Sequence, residues 1–217
     1  CGSPDMAHPR IVSLLPSAPE IAVALGLGQN LVGRSHECDY PPSVKGLPVV
    51  TSTKLEKGLT SCQIDDRVQG IVRQGLSVYE VDTALLRDLR PDLILTQSQC
   101  AVCAVTPADL EEALSEWTGT APVLLSLAPD TLEDVWGDFA KVAEAAGLSE
   151  RTSSVVDGLR RRMAGLAENR GRRIDRPSVA AIEWIDPLMA AGNWVPELIE
   201  AAGGRLLFAR AGEHSPW

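Results

Sequence analysis

Arg90-Pro91-Asp92-Leu93-Ile94-Leu95-Thr96 is the stretch on which the fold turns. Arg90-Pro91-Asp92 is a stop signal, because the residue before a proline is pushed out of helical geometry. Three large apolar residues and a threonine then follow without alternation. A strand with that pattern is buried on both faces, which is the situation of strands in parallel sheets covered by helices on either side. A parallel neighbour needs a crossover helix, and the sequence just upstream supplies one. Asp82 is placed to cap a helix that carries Leu85, Leu86 and Leu89.

The same alternation extends in both directions. Toward the N-terminus, Arg10–Leu15 reads as strand one. Ser17 and Glu20 have the spacing of a capping box for a helix over Ile21–Leu25, which Gly26 and Gly28 end. Leu31–Arg34 returns as strand two, and His36-Glu37-Cys38-Asp39-Tyr40-Pro41-Pro42 is a loop, since consecutive prolines suit neither regular structure. Thr60 and Gln63 form a second capping box before the helical spacing of Ile64, Val68, Ile71 and Val72.

Toward the C-terminus, Thr106-Pro107 starts a helix and Val123–Leu127 is the next strand. Thr131 caps a helix that runs to Ala146 and closes at Gly147. A longer helix spans Ser149 to Asn169 on Val155, Val156, Leu159, Met163 and Leu166. Ser178–Trp184 is predicted as one strand, Val195–Ala202 as a helix ended by Gly203-Gly204, and Leu206–Phe208 as the last strand.

Strands alternating with helices define an α/β fold with mostly parallel sheets and right-handed crossovers. The helical block separates two Rossmann-like lobes. The organisation expected is an N-terminal ligand-binding lobe over 9–128, a helical spine over 129–174 and a partial second lobe over 175–217. Two strands and a helix bury too little apolar surface to stand alone, so the second lobe is expected to continue after Trp217.

Composition restricts the function classes. The 217 residues are 45% hydrophobic and 23% charged, ordinary for a globular chain, and the net charge of -9 argues against nucleic acid as a partner. Arg160, Arg161 and Arg162, with Arg170, Arg172 and Arg173, form a basic cluster without interleaved aromatics, which reads as a solvated helix end. No apolar run approaches the ~20 residues of a membrane span. The start Cys1-Gly2-Ser3 fits a lipidated periplasmic or surface lipoprotein, whereas Met6 fits a natural start and a cytoplasmic protein; the chain itself carries no basic segment followed by an apolar run of the signal-peptide kind. Five cysteines, an odd number, do not suit a disulfide framework, and Cys62 reads as a small apolar filler of its helix.

Ligands of open parallel sheets bind beyond the carboxyl ends of the strands, often at helix N-termini. That rule selects Ser17 after strand one, His36, Glu37, Cys38 and Tyr40 after strand two, and Gln97, Cys100 and Cys103 after the Leu93–Thr96 strand. In the second lobe it selects Glu183, Trp184, His214 and Trp217. His36, Cys38, Cys100 and Cys103 match soft-metal ligation by type and are candidate metal ligands; inert packing, a redox pair and ligand lining are the alternatives. The indoles suit stacking on a flat ligand or filling a core. No nucleophile elbow, Walker loop or dinucleotide fingerprint occurs, and Gly26-Leu27-Gly28 follows a helix, so a non-enzymatic role is expected.

Arg10-Ile11-Val12-Ser13-Leu14-Leu15-Pro16-Ser17-Ala18-Pro19-Glu20-Ile21, Asp39-Tyr40-Pro41-Pro42, Leu89-Arg90-Pro91-Asp92-Leu93 and Glu200-Ala201-Ala202-Gly203-Gly204 carry a resemblance. In their order and spacing the chain resembles the periplasmic binding proteins of cobalamin and iron-siderophore ABC importers. The resemblance implies two α/β lobes on a long helix, a ligand clamped between them, and docking to a permease through a glutamate on each lobe. It also implies departures. Glu37, Lys54 and Gln97 stand where the cobalamin-binding member has aromatic residues, Trp217 matches an aromatic of the second-lobe site, and Ala84 takes the place of the first docking glutamate, with Glu80 and Asp82 nearby. The chain is most similar to a branch carrying His-Glu-Cys-Asp-Tyr-Pro and Cys-x-Val-Cys.

The expected function is therefore reversible binding of a cobalamin-like or iron/metal-chelate ligand for ABC-type uptake, by a monomer; no cofactor is assigned beyond that ligand, and a bound metal stays open as an option. The alternative is a cytoplasmic metal or iron–sulfur protein that uses Cys38, Cys100 and Cys103.

Overall fold

Burial of the continuous apolar runs organises the structure. The computed structural model describes residues 9–74, 77–98, 117–170 and 176–215, together with Val105, Leu110 and Leu114. The chain divides into two units: Cys1–Lys54, Ile71–Ala128 and Phe139–Thr152 form the first, and Leu55–Gly70, Pro129–Asp138 and Ser153–Trp217 the second.

The first unit holds strands β1 (Ile11–Ser13), β2 (Leu31–Arg34), β3 (Thr51–Thr53), β4 (Tyr79–Val81), β5 (Leu93–Gln97) and β6 (Val123–Leu127). Four of them form one parallel sheet in the order β2-β1-β5-β6. Ile11 lies between Leu31 on one side and Leu93 on the other. Ile11, Val12, Leu93, Ile94 and Leu95 are all essentially buried, as the absence of alternation in their sequence requires.

Helix α1 (Ala18–Ala24) follows β1. The capping box expected there does not form: Ser17 has helical backbone angles, φ -77° and ψ -27°, and its side chain makes no capping bond. A proline in the first turn starts this helix instead, because its ring presets φ and it has no N–H to leave unsatisfied. The second capping box does form, before α2 (Ser61–Arg73): the Thr60 amide donates to Gln63 Oε1 at 2.9 Å and the Gln63 amide to Thr60 Oγ1 at 3.3 Å. Asp82 accepts from the Leu85 amide at 2.9 Å at the head of α3 (Thr83–Leu89). That helix packs closely on β2, where a Cβ on Gly33 would stand 2.7 Å from Leu89 Cδ1.

The sequence reading did not foresee β3 and β4. They pair antiparallel, with Ser52 opposite Glu80, and β3 follows a parallel bridge between Arg34 and Val49. The helix expected from Thr106-Pro107 lies outside the described residues.

Helix α4 (Leu132–Ala145) contributes to both units, as does α2, and it starts as predicted: the Asp134 amide donates to Thr131 Oγ1 at 3.2 Å. The second unit contains α5 (Thr152–Arg170, from Ser153 on), β7 (Ser178–Val179), β8 (Ile182–Ile185), β9 (Leu188–Ala190), α6 (Val195–Ala201) and β10 (Arg205–Leu206). The single strand expected over Ser178–Trp184 is two strands. β7 pairs in parallel with β10, whereas β8 turns at Asp186-Pro187 and pairs antiparallel with β9. Residues that form a hairpin with their own continuation are not available to extend β7, which is why the run divides. Ile185 and Leu188, in this hairpin, stay exposed.

Candidate functional site

The order β2-β1-β5-β6 contains a switch point. The chain moves from β1 outward to β2 on one side, then returns to β5 and β6 on the other. Where the order reverses, the loops leaving neighbouring strands diverge and open a crevice at their carboxyl ends. Because the strands are parallel, the segments after β1, β2 and β5 emerge on one edge. Those segments carry Ser17, the His36–Tyr40 loop and Gln97.

The β2 loop is held by its own backbone. The Ser35 amide donates to the Ser13 carbonyl at 2.7 Å, and the Arg34 guanidinium donates to the carbonyls of Ser35 (3.1 Å), Cys38 (3.0 Å) and Lys45 (3.2 Å). His36 then faces β3: its amide donates to Thr51 Oγ1 at 3.0 Å, and its Nδ1 lies 2.8 Å from the same oxygen. The imidazole also packs on the ring of Tyr79, at 5.6 Å between centroids and tilted by 51°. The Tyr79 hydroxyl donates to the Glu37 carboxylate.

Burial sets the electrostatics of this cluster. Partial desolvation raises the Glu37 carboxyl, against the opposing pull of His36 and of the bond from Tyr79. The Tyr79 phenol is pushed up to about 12, first by burial and then by the neighbouring Glu37 charge. Tyr79 is 8% exposed and is therefore a fixed, neutral donor at ordinary pH. Sequence reasoning missed both Tyr79 and Thr51. The β-branched and alternating patterns Thr51-Ser52-Thr53 and Tyr79-Glu80-Val81 were the available signal.

Cys38 corrects an expectation. The residue is fully buried, and its thiol donates to the Leu15 carbonyl at 3.3 Å and lies 3.7 Å from Ser13 Oγ. Burial raises its pKa, more than Ser13, Ser35 and Arg34 lower it. The thiol faces the core between β1 and its own loop, so it packs there rather than standing exposed on the sheet edge. Cys100 and Cys103 lie outside the described residues. Among the described residues no group of three or more His, Cys, Asp or Glu side chains is placed to hold a metal ion. Cys62 is also corrected: it is exposed on α2 rather than filling a core, and the acids Asp186, Asp66 and Asp65 raise its thiol pKa.

Ser17 and Tyr40 are exposed, the latter at 57%, while Gln97 ends β5 and is half-buried. Within the second unit, Glu183 accepts from the Ser215 hydroxyl, and Ser215 Oγ accepts from the Gly192 amide at 3.1 Å. The Asn193 amide donates to the Glu213 carbonyl at 2.7 Å and the Gly212 amide returns to the Asn193 carbonyl at 3.0 Å. His214, in this strap, is exposed. Trp184 follows Glu183 on β8 and donates its indole N–H to the Asp186 carbonyl at 2.9 Å. Trp217 lies outside the described residues.

No family model matches the chain. The vitamin B12-binding protein of Photorhabdus laumondii is 25% identical over 209 residues, which are 96% of this chain and 63% of the relative. That of Yersinia pestis is 24% identical over 217 residues, 99% of this chain and 64% of the relative. The chain thus spans somewhat less than two thirds of the length of these curated relatives. Among solved structures, the periplasmic vitamin B12-binding protein of Vibrio cholerae aligns with a TM-score of 0.63 and 21% identity, over 96% of this chain and 69% of that one. A periplasmic heme-binding protein from Roseiflexus sp. RS-1 aligns with a TM-score of 0.65 and 23% identity, over 91% and 65%. The chain shares its fold with these periplasmic binding proteins and is similar in sequence to the vitamin B12-binding proteins of both organisms.

Proposed function

We propose that the chain is a solute-binding protein that reversibly holds a cobalamin-like or metal-chelate ligand for uptake through an ABC permease. The observation that carries the reading is the edge of the first unit's sheet. A parallel sheet with its switch point beside β1 presents a pre-formed polar cluster, His36, Glu37, Tyr79 and Thr51, where such sheets take their ligands. Similarity to vitamin B12-binding and heme-binding proteins supports the ligand class. The cluster lacks an activated nucleophile: Cys38 is buried with a raised pKa, and Tyr79 is held neutral. Similarity to vitamin B12-binding proteins supports binding without bond-making, with cobalamin or a chelate as the ligand. The metal-protein alternative draws no support from the relatives.

Calorimetric titration with cyanocobalamin and with hemin tests this. Saturable binding of at least one at micromolar concentration or tighter is expected. No heat and no spectral change with either would overturn the reading.

A further inference from the structure

We infer that residues 209–215 are a gate: a strap latched by Ser215 that releases as a unit and sets how fast ligand exchanges at the carboxyl edge of β7 and β10. This rests on the solute-binding reading above and adds a control on its rates.

The path of the strap carries the argument. It follows the end of β10, which lies parallel to β7, and ligands of parallel sheets bind beyond that end of the strands. From there the chain crosses to the residues between β9 and α6. The Asn193 amide donates to the Glu213 carbonyl and the Gly212 amide donates back to the Asn193 carbonyl, closing a two-bond ring. Ser215 fastens the far end. Its hydroxyl donates to Glu183 on β8 and accepts from the Gly192 amide, so one side chain ties the strap to two other segments.

The two sides of this ring are held very differently. The receiving side is fixed: Asn193 Nδ2 donates to Asp130 at 3.4 Å, and Glu197, in the first turn of α6, accepts from the Leu132 amide at the head of α4 at 2.7 Å. The strap side is loose. Arg210, Ala211, Gly212, Glu213 and His214 are all exposed, and so are Leu207 and Phe208 at its entry, so little apolar burial holds it. The Arg210–Glu213 ion pair, at 3.7 Å, is open to solvent, where such pairs contribute little. Ala209 starts the strap at φ 71°, a left-handed conformation that a residue with a Cβ keeps only while its surroundings impose it. Opening relieves it. A segment with exposed hydrogen bonds, little burial and a strained first residue opens well before the whole domain does. Ser215 is therefore a positioning residue, and losing its two bonds should raise the open population about tenfold.

The test compares the full-length wild type with Ser215→Ala, Ser215→Thr and Arg210→Ala. In the ligand-free protein, hydrogen exchange should show the Gly212 amide opening faster than the Ala202 amide inside the second unit. Ser215→Ala should speed Gly212 exchange about tenfold and leave Ala202 alone. Ser215→Thr keeps the hydroxyl and should restore the wild-type rate, and Arg210→Ala should stay within twofold of it. Stopped-flow mixing with cyanocobalamin, or with hemin, reads the gate. Ser215→Ala should raise the association and dissociation rates by a similar factor and leave the dissociation constant within twofold, because a gate limits passage in both directions. A merely structural role would raise dissociation alone and weaken binding. That outcome, unchanged rates, or a common exchange rate for Gly212 and Ala202 overturns this inference and leaves the solute-binding reading intact. A wild type that binds neither probe removes that reading, and the gate falls with it.

Discussion

Modification of Cys38 should be limited by unfolding. The residue has no exposed surface, and its thiol is bonded to the Leu15 carbonyl at 3.3 Å. Two factors multiply. An ordinary thiol with a pKa of 9.0 would be about 1% thiolate at pH 7, and burial leaves Cys38 with less. Access to the reagent also needs the β1–β2 edge to open. If opening costs about 5 kcal/mol, the low end of domain stabilities, it slows the reaction by roughly 5000-fold, at a factor of ten per ~1.4 kcal/mol. The assay is timed alkylation at pH 7 with peptide mass mapping of each cysteine, in buffer and in denaturing urea. Cys38 in the native protein should react at least a thousandfold more slowly than in urea, with a rate that follows global unfolding as denaturant is added. Labelling of native Cys38 within tenfold of the denatured rate would refute the burial argument.

Three further outcomes follow from local geometry. Gly192→Ala should destabilise the second unit by about 1–3 kcal/mol, because a Cβ there would meet Glu213 O at 2.5 Å and Ser215 N at 2.6 Å, both backbone atoms that cannot swing away. Gly46→Ala, with nothing within 4 Å, is the control, and equal melting temperatures for the two variants would contradict the packing described. Asp82→Ala removes the bond to the Leu85 amide and should cost about 1 kcal/mol in denaturant unfolding, whereas Asp82→Ser should recover most of it. Absorbance titration at alkaline pH should show one of the two tyrosines ionising at about 12 in the folded protein. The folded value lies above the ordinary 10.0, so this stabilising contribution is full below pH 10 and is lost as pH rises toward 12. Glu37→Gln should move that ionisation downward, since it removes the neighbouring charge and leaves burial as the main cause.

Legibility in the sequence followed burial. β2 and β6 have the bounds read from their apolar runs, and β1 and β5 lie within a residue or two of theirs. Strands enclosed on both faces must be apolar throughout, and glycine, proline and capping residues mark their ends. The caps at Thr60, Asp82 and Thr131 were legible for a similar reason, since each satisfies amides within three residues of itself. Ser17-Ala18-Pro19-Glu20 had the same spacing and failed, because the proline already provided the start. β3 and β4 were not legible. Thr51-Ser52-Thr53 is mostly exposed and pairs with Val81, Glu80 and Tyr79 on a distant strand, through pairings that no local pattern encodes.

The sequence by itself determined the parallel α/β architecture, the helix starts at Thr60, Asp82 and Thr131, and the loops that leave the carboxyl ends of the strands. These depend on interactions within a few residues or on the apolar content of one segment. Only the tertiary structure decided what those loops present. It turned Cys38 into the core beneath Ser13 and Leu15, brought Tyr79 from a separate strand onto His36 and Glu37, and divided Ser178–Trp184 between two strand pairs. Side-chain direction and long-range pairing are set by partners distant in the chain, and a linear sequence does not contain their positions.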